Sequence, residues 1–567
     1  MVRRKITERE KLKKIRDLVS AERVAWCLLL LALVATAIIR YRLLEFPLER
    51  DEGEFAYVAQ LLLDGVPPYL TAYSMKFPGT SVAYAGLMAL FGQTTTGVHL
   101  GLLFINAITI IVIFLFARAL FDPVAAGAAA LAYGLLSVSP AVDGMAAHAT
   151  HFVALFAALG GYALWSASKR RNRLLWFNAG CLFGTAILMK QHAFFLAPFA
   201  VAVSLAQVTD SRREWRRNII DGTLVTLGLG LPFSATCLWL WGAGVFSKFW
   251  LWTFDYARGY ASEIPLSVGV GQFLANGAIV ARPTWPWGVL ALAGIVALAF
   301  LRDQRRLFLL SFLVASFLCV CPGFFFRPHY FIALLPAVAL CIGAACHGLT
   351  LSAPLQQAAV AKRTAKRAGI AKAAKKSSSS MHAMAVSLAV TLCAAGISLA
   401  LRADFFFHWT PQQACRMIYG TNPFVEAPGI ADYLAQHSAP DARIAVLGSE
   451  PEIFFYSRRR SATGYIYTYS LMEPQPYAEQ MQEEMISEIE AARPEYIVSV
   501  NITSSWLKRS NSRLRIFKWA NSYIAAGYRL TGVIDIVSAD RTEYHWDVET
   551  SPYTPRSPHN LLIYKLK

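Results

Sequence analysis

Charge is scarce in this chain. Only 16% of its 567 residues are Asp, Glu, Lys or Arg, and mean hydropathy is +0.41. The apolar residues, 56% of the total, come in long unbroken runs rather than at amphipathic spacing, which makes this a polytopic membrane protein. Acids are scarcer than bases, 36 against 54, giving a net charge of +18. Because the basic residues sit in short clusters between apolar runs, they read as topology signals, and nucleic acid is not expected as a partner. No glycine-rich phosphate loop follows any strand-like run, so no nucleotide is assigned. Disulfides are absent from the plan as well: eight of nine cysteines fall inside predicted helices as small packing residues, and Cys415 alone lies beyond them.

The spans expected from the runs are Val24 to Leu44, Val98 to Ala117, Pro123 to Val142, His148 to Ser166, Leu174 to Met189, Ala193 to Val208, Ile219 to Trp241, Trp285 to Leu301, Leu307 to Pro322, Tyr330 to Leu349 and Ala383 to Leu401. That makes about eleven transmembrane helices, several near the lower length limit for ~30 Å of hydrocarbon. With a cytoplasmic N-terminus, the inner segments hold 28 Lys and Arg and the outer loops before the last helix hold 7. The positive-inside rule therefore puts Asp51 and everything after Arg402 on the extracytoplasmic side of a cell membrane. The first run is too long for a signal-peptide h-region and lacks a small-residue cleavage site, so it is read as an uncleaved helix.

The expected division is a basic cytoplasmic N-terminus (1–23), a transmembrane unit (24–349), a cytoplasmic linker (350–382), a last transmembrane helix (383–401) and an extracytoplasmic α/β domain (402–567). The linker contains a low-complexity Ala/Lys/Ser-rich stretch, Pro354 to Ser380, whose basic residues suit contact with membrane lipid. The last domain is read from β-prone runs at 443–447, 496–500, 531–537 and 561–564, alternating with helix-like stretches.

The expected outer loops collect the ionisable residues. Arg50-Asp51-Glu52-Gly53-Glu54 follows the first span, and acids beside a bilayer mark a candidate site, although a helix start also favours acids through its dipole. Lys76, in Lys76-Phe-Pro78-Gly79, leads a short apolar stretch read as an interfacial helix, where it faces an anion or snorkels to the interface. Asp143 is a lone carboxylate among small apolar residues and needs a partner, a metal or water. His148 and His151, three apart, share a helix face at metal-compatible spacing, with interhelical hydrogen bonding the plainer role for His151. Lys190, Arg327, His329 and Tyr330 reach the same membrane depth. Between Gly242 and Thr284 a loop crowded with aromatics carries Arg258. A cavity holding acids and cations together suits group transfer from a lipid phosphate: cations stabilise the charge on the departing phosphate, and a carboxylate accepts the proton of an attacking hydroxyl. A transporter for an anionic or lipid-linked substrate is the alternative, but its ionisable residues belong at the midplane of repeated halves, and no repeat is seen.

From about Arg40 to Leu349 the chain resembles the GT-C class of integral-membrane glycosyltransferases. It is similar to the bacterial branch of protein O-mannosyltransferases and lipid A aminoarabinose or galacturonic acid transferases. Asp51-Glu52-Gly53-Glu54-Phe55-Ala56-Tyr57, Lys76-Phe77-Pro78, Asp143 and Arg327-Pro328-His329-Tyr330 carry the resemblance. It implies an inverting transfer of a sugar from a polyprenyl-phosphate donor to a hydroxyl of a lipid, polysaccharide or protein acceptor of the cell envelope. It further implies Asp51 as base or metal-associated acid, Glu52 as supporting acid and Lys76 on the phosphate. Asp143 is a further catalytic candidate, Lys190, Arg258, Arg327, His329 and Tyr330 are candidates for the donor phosphate, and Glu54 and His148 are additional candidates. If a divalent metal binds, Asp51, Glu52 and Asp143 are its expected ligands.

Overall fold

The computed structural model describes residues 2–207, 212–364, 375–548 and 550–567. The protein is mostly helical, with one six-stranded sheet built from residues after 442. Among the described residues, six helices are long and apolar enough to cross a membrane: Ser20–Arg42, Thr95–Leu120, Ala149–Arg170, Glu214–Gly242, Pro328–Thr350 and Met381–Ala400. A seventh crossing is available if Leu266–Ala281 and Trp285–Phe300, bent by 108°, act as one.

The expected count of eleven is therefore not what the helix lengths give. Pro123–Ser137 has 15 residues, about 22 Å at 1.5 Å per residue, because the apolar run ends in a turn at Ser139 and Pro140. Arg173–Met189 and Leu196–Leu205 are likewise short, parted by the 3-10 turn Gln191–Phe195. The segment read as a loop between Gly242 and Thr284 is largely helical, ending in Leu266–Ala281. The first helix starts at Val2, so the basic N-terminal stretch continues into the apolar one. In the expected linker, residues 365–374 lie outside the described residues; helices flank them, Leu335–Thr364 before and Lys375–Ala400 after.

Close helix crossings rest on small residues. Arg173–Met189 packs along Arg212–Gly242 where Gly180 meets Gly228: a Cβ on Gly180 would stand 2.2 Å from the Val225 carbonyl oxygen.

The sheet comprises β1 (Arg443–Leu447), β2 (Arg460–Ser461), β3 (Tyr496–Asn501), β4 (Tyr528–Ser538), β5 (Arg541–Trp546) and β6 (Asn560–Leu566), in the order β2-β1-β3-β6-β4-β5. β1 runs parallel to β2 and β3, and the β3–β6, β6–β4 and β4–β5 pairs are antiparallel. Side chains alternate between faces. Ile444 and Val446 join a core with Ile430, Leu434 and Ile453, from the helices Ala427–His437 and Glu452–Ser457. Ala445 and Leu447 join the opposite core with Met485, Ile489 and Ile516, from Ala478–Ala492 and Arg515–Gly527.

The first of these layers lies directly on the helix Arg50–Leu63. Tyr57 packs against Phe454 with ring centroids 5.2 Å apart, and Ser461 N–H donates to the Tyr57 hydroxyl at 2.8 Å. Gly53 makes the approach feasible, since a Cβ there would fall 2.5 Å from the Glu452 backbone nitrogen. Gly53→Val should therefore lower stability by about 1–3 kcal/mol, the usual cost of overpacking. Thermal unfolding of the detergent-solubilised chain reads this directly; an unchanged midpoint would mean that the two helices part without cost.

Candidate active site

The helix Arg50–Leu63 is started by a capping box that uses a glutamate: the Glu49 side chain accepts from Glu52 N–H, and Glu52 accepts from Glu49 N–H. This fixes which acid faces which way. Asp51 and Glu54, three apart, share one helix face and line a cavity of about 740 Å³. Glu52, next to Asp51 in sequence, is turned elsewhere and fully buried. Its Oε1 lies 3.0 Å from His99 Nε2 and accepts the Ala147 N–H at 2.5 Å, so it braces the turn before His148 instead of supporting Asp51 in the cavity.

Lys76 closes the arrangement. Its Nζ donates to Asp51 Oδ1 at 2.8 Å and to Glu54 Oε2 at 2.6 Å. Ser74 donates its hydroxyl to Glu54, and the Tyr69 hydroxyl donates to the Lys76 carbonyl at 2.7 Å, which holds the loop in place. Burial favours the neutral form of Asp51, but Lys76, with His329 and His148, outweighs it and keeps the carboxyl well below the usual range. Conversely, Asp51 and Glu54 outweigh burial to hold the Lys76 ammonium above its ordinary value. The Tyr467 hydroxyl also donates to Asp51 Oδ1, at 3.3 Å.

The other expected cations line the same cavity. Lys190 caps the helix Arg173–Met189 and rests over the Tyr330 ring, 4.0 Å from its centroid. Burial pushes its ammonium down to about 7, with Asp51 opposing and Lys76 and Arg327 reinforcing the shift. Arg327 caps the 3-10 turn Pro328–Leu334, and Arg258 reaches the cavity from the helix Ala257–Ala261.

Asp143 is not in the lining. It sits in a left-handed turn, φ 51°, with Oδ2 3.8 Å from His329 Nδ1, behind the cavity wall. Burial lifts its carboxyl to about 7. Arg40 holds that turn by donating to the Gly144 carbonyl at 3.0 Å and the Ser137 carbonyl at 3.3 Å. His151 is also turned to the Gly144 carbonyl, 3.1 Å from Nε2. The expected metal set of Asp51, Glu52 and Asp143 is thus not assembled. Among the described residues, the acid and histidine side chains that do come together are Asp51, His148 and His329, one polar atom of each within 4.8 Å of the others.

Sequence reasoning missed one wall of the cavity. Tyr467, Tyr469, Ser470 and Glu473 close it from the segment between β2 and β3. Arg50 donates to the Tyr469 hydroxyl of that segment (3.0 Å) and, outside it, to the Ser449 carbonyl (2.5 Å), the Glu450 carboxylate (2.8 Å) and Asn422 Oδ1 (3.2 Å). Tyr73 N–H donates to the Gly464 carbonyl at 2.7 Å, tying the first loop to the same segment. Tyr467 and Tyr469 face the cavity while Tyr465, two residues earlier, packs with Tyr73 and Trp252 in a neighbouring core, so no regular spacing in the sequence marks this wall.

Comparison with known proteins agrees with this picture. The family model for dolichyl-phosphate-mannose-protein mannosyltransferase matches residues 75–239. The undecaprenyl phosphate-alpha-4-amino-4-deoxy-L-arabinose arabinosyl transferase of Pseudomonas aeruginosa (strain UCBPP-PA14) is 28% identical over 228 residues, covering 38% of this chain. The match spans 40% of that relative's length. The crystal structure of ArnT from Cupriavidus metallidurans bound to undecaprenyl phosphate superposes with a TM-score of 0.58 at 16% identity, covering 95% of this chain and 98% of that one. ArnT from the same organism in the apo state gives 0.57 at 16% identity, covering 94% and 97%. The resemblance read from the sequence is borne out: the chain is related to the GT-C glycosyltransferases, with the aminoarabinose transferase among its relatives.

The Glu473 carboxyl offers a measurable consequence of the site's burial. Burial holds it up at about 7 even though Tyr256 donates to it at 2.5 Å. The folded chain therefore keeps a proton that the unfolded chain gives up near 4.3, and the associated stability, complete below that pH, is lost as pH rises through 7. Glu473→Gln should gain stability relative to the parent between pH 5 and 8, by up to about 1.4 kcal/mol per unit. Thermal midpoints of both proteins across that range test it, and parallel curves would refute it.

Proposed function

We propose that this relative of the aminoarabinose transferases is an inverting glycosyltransferase. It moves a sugar from a polyprenyl-phosphate donor to a hydroxyl of a lipid, polysaccharide or protein acceptor of the envelope, on the extracytoplasmic side of the cell membrane. The observation that carries this reading is the shared cavity: Asp51 and Glu54 meet Lys76, Lys190, Arg258 and Arg327 around one space. Its aromatic rim, with Trp250 stacked on Phe254 at 4.3 Å between centroids, suits a lipid chain. The printed names of the relatives, an undecaprenyl-phosphate-dependent transferase and a structure bound to undecaprenyl phosphate, support that class of donor. The excess of Lys and Arg in the opposite loops supports the orientation. In this reading the shorter apolar helices cross together with the long ones, giving about eleven passages, and residues 402–567 form the extracytoplasmic domain.

The chemistry follows from the geometry. The acceptor oxygen attacks the anomeric carbon as the bond from that carbon to the phosphate oxygen breaks. Asp51 takes the acceptor's proton, and the freed phosphate keeps the bond electrons. A single displacement inverts the sugar carbon. Lys190, Arg258 and Arg327 stabilise the charge that grows on the phosphate, so no acid is required on the leaving side. Lys76 neutralises Asp51 and Glu54 in the resting site and turns toward the phosphate when the donor is bound. That transfer of its attention leaves Asp51 with less counter-charge, raising its basicity when the hydroxyl is in place.

Asp51→Asn keeps size and polarity while removing the base, and should lower transfer from a polyprenyl-phosphate sugar by about 10²–10⁴-fold. Arg327→Ala should lower it by about 10²–10³-fold. Radiolabelled sugar transfer in membranes carrying each variant at parental abundance measures both; full activity of Asp51→Asn would reject the assignment.

A further inference from the structure

The bundle carries a second hollow at the end away from the cavity. The helix Ala149–Arg170 begins at the cavity, which Ala149 lines, and its 22 residues reach about 33 Å at 1.5 Å per residue, enough to cross the ~30 Å of hydrocarbon. At its far end Trp165 and Lys169 meet Ala119 and Leu120, from the end of Thr95–Leu120, and residues 302–305 around a space of about 540 Å³. The Trp165 indole is fixed there, donating to the Ala119 carbonyl at 3.2 Å.

The charges of this hollow do not cancel. Arg305 is spent on the protein itself: Nη2 pairs with Asp303 Oδ2 at 2.7 Å, and Nη1 donates to the Leu120 carbonyl at 2.8 Å. That pair neutralises Asp303. Lys169 donates to Gln304 Oε1 at 2.9 Å and rests 4.3 Å from the Trp165 ring centroid, contacts with neutral groups that leave its charge standing. Arg302 is exposed and makes no hydrogen bond or ion pair among the described residues. Two cations therefore face one space without a counter-ion, an arrangement that an anion relieves.

We infer that this hollow binds the headgroup of an anionic phospholipid, with Lys169 and Arg302 on its phosphate. Basic pockets between helix ends at a membrane surface are where such headgroups are held, and the volume falls in the ~300–1,000 Å³ range of small-ligand sites. The Arg302 guanidinium offers paired N–H donors to phosphate oxygens, and the Lys169 ammonium adds a point charge. A membrane lipid fits better than a free phosphate, because a track for its chains starts at the same place. On the helix Gln304–Leu318, Leu307, Val314 and Leu318 stand at i, i+7 and i+11 and are all exposed, Leu307 at 70%, so they form one apolar stripe leading away from Gln304. That helix runs back toward Pro322 at the cavity, so the stripe follows the depth of the bilayer. The site does not rest on the transferase reading, and none of its lining residues reaches the catalytic cavity.

The test uses the full chain, delipidated in a non-ionic detergent and titrated with dioleoyl phosphatidylglycerol, with bound lipid counted by native mass spectrometry. The parent should retain one phosphatidylglycerol and prefer it to dioleoyl phosphatidylcholine by at least about tenfold. Arg302→Gln alters a side chain without internal partners, so folding is not at issue, and should weaken binding about fivefold; Lys169→Gln with Arg302→Gln should weaken it about 25-fold. Arg170→Gln with Arg171→Gln subtracts the same charge from the same helix end but outside the hollow, and should bind like the parent. No preference for phosphatidylglycerol, an Arg302→Gln chain that binds like the parent, or equal loss in the Arg170 and Arg171 pair would overturn the site. Displacement of the lipid by millimolar inorganic phosphate would overturn it too, reducing the hollow to a trap for any phosphate.

Discussion

The structure turns on Lys76, one ammonium shared by two carboxylates. Asp51 and Glu54 come from a helix, Lys76 comes from a loop, and the contact at 2.8 and 2.6 Å fixes one against the other. Removing the lysine would leave two acids facing each other in a low-dielectric wall, and stranding buried charge in this way costs about 3–5 kcal/mol. The same contact sets the resting electrostatics of the cavity. It spends the acids' charge on Lys76 and leaves Lys190, Arg258 and Arg327 available to an anion.

That clamp is only as stable as the helix that carries it, and the helix is gripped from both sides. Glu52 reaches His99 and the Ala147 N–H on the helical-bundle side, and Arg50 reaches Glu450, Ser449 and Asn422 on the sheet side. Alternate residues of one short run therefore serve opposite neighbours: 50 and 52 anchor, 51 and 54 face the cavity. The division follows from the 100° step of an α-helix, which carries consecutive side chains to different faces.

How far the sequence disclosed this depended on whether a residue was anomalous in its surroundings. Asp51, Glu54, Lys76, Lys190 and Arg327 are ionisable groups beside apolar runs, and composition alone singles them out. Glu52 is equally anomalous, but its direction depended on a capping box whose first residue is Glu49, outside the usual Ser, Thr, Asp and Asn set. Strands β1, β3, β4 and β6 were legible as short β-prone apolar runs. Two-residue β2 and the polar edge strand β5, Arg-Thr-Glu-Tyr-His-Trp, carry no such pattern. The helix Leu266–Ala281 was hidden by its glycines and by Gln272 and Asn276, which interrupt the apolar run. The aromatic wall from 467 to 473 escaped because nothing local links it to residue 51; only the tertiary fold does.

That distance has a biosynthetic consequence. The chamber's wall at Tyr467, Tyr469 and Glu473 emerges from the ribosome some 400 residues after Asp51 has been made. All the long apolar helices are threaded first, so the bundle exists for a time as an open bowl of paired charges. A nascent or prematurely released chain carries Asp51, Glu54 and Lys76 without the tyrosine wall and without the sheet-side grip on their helix.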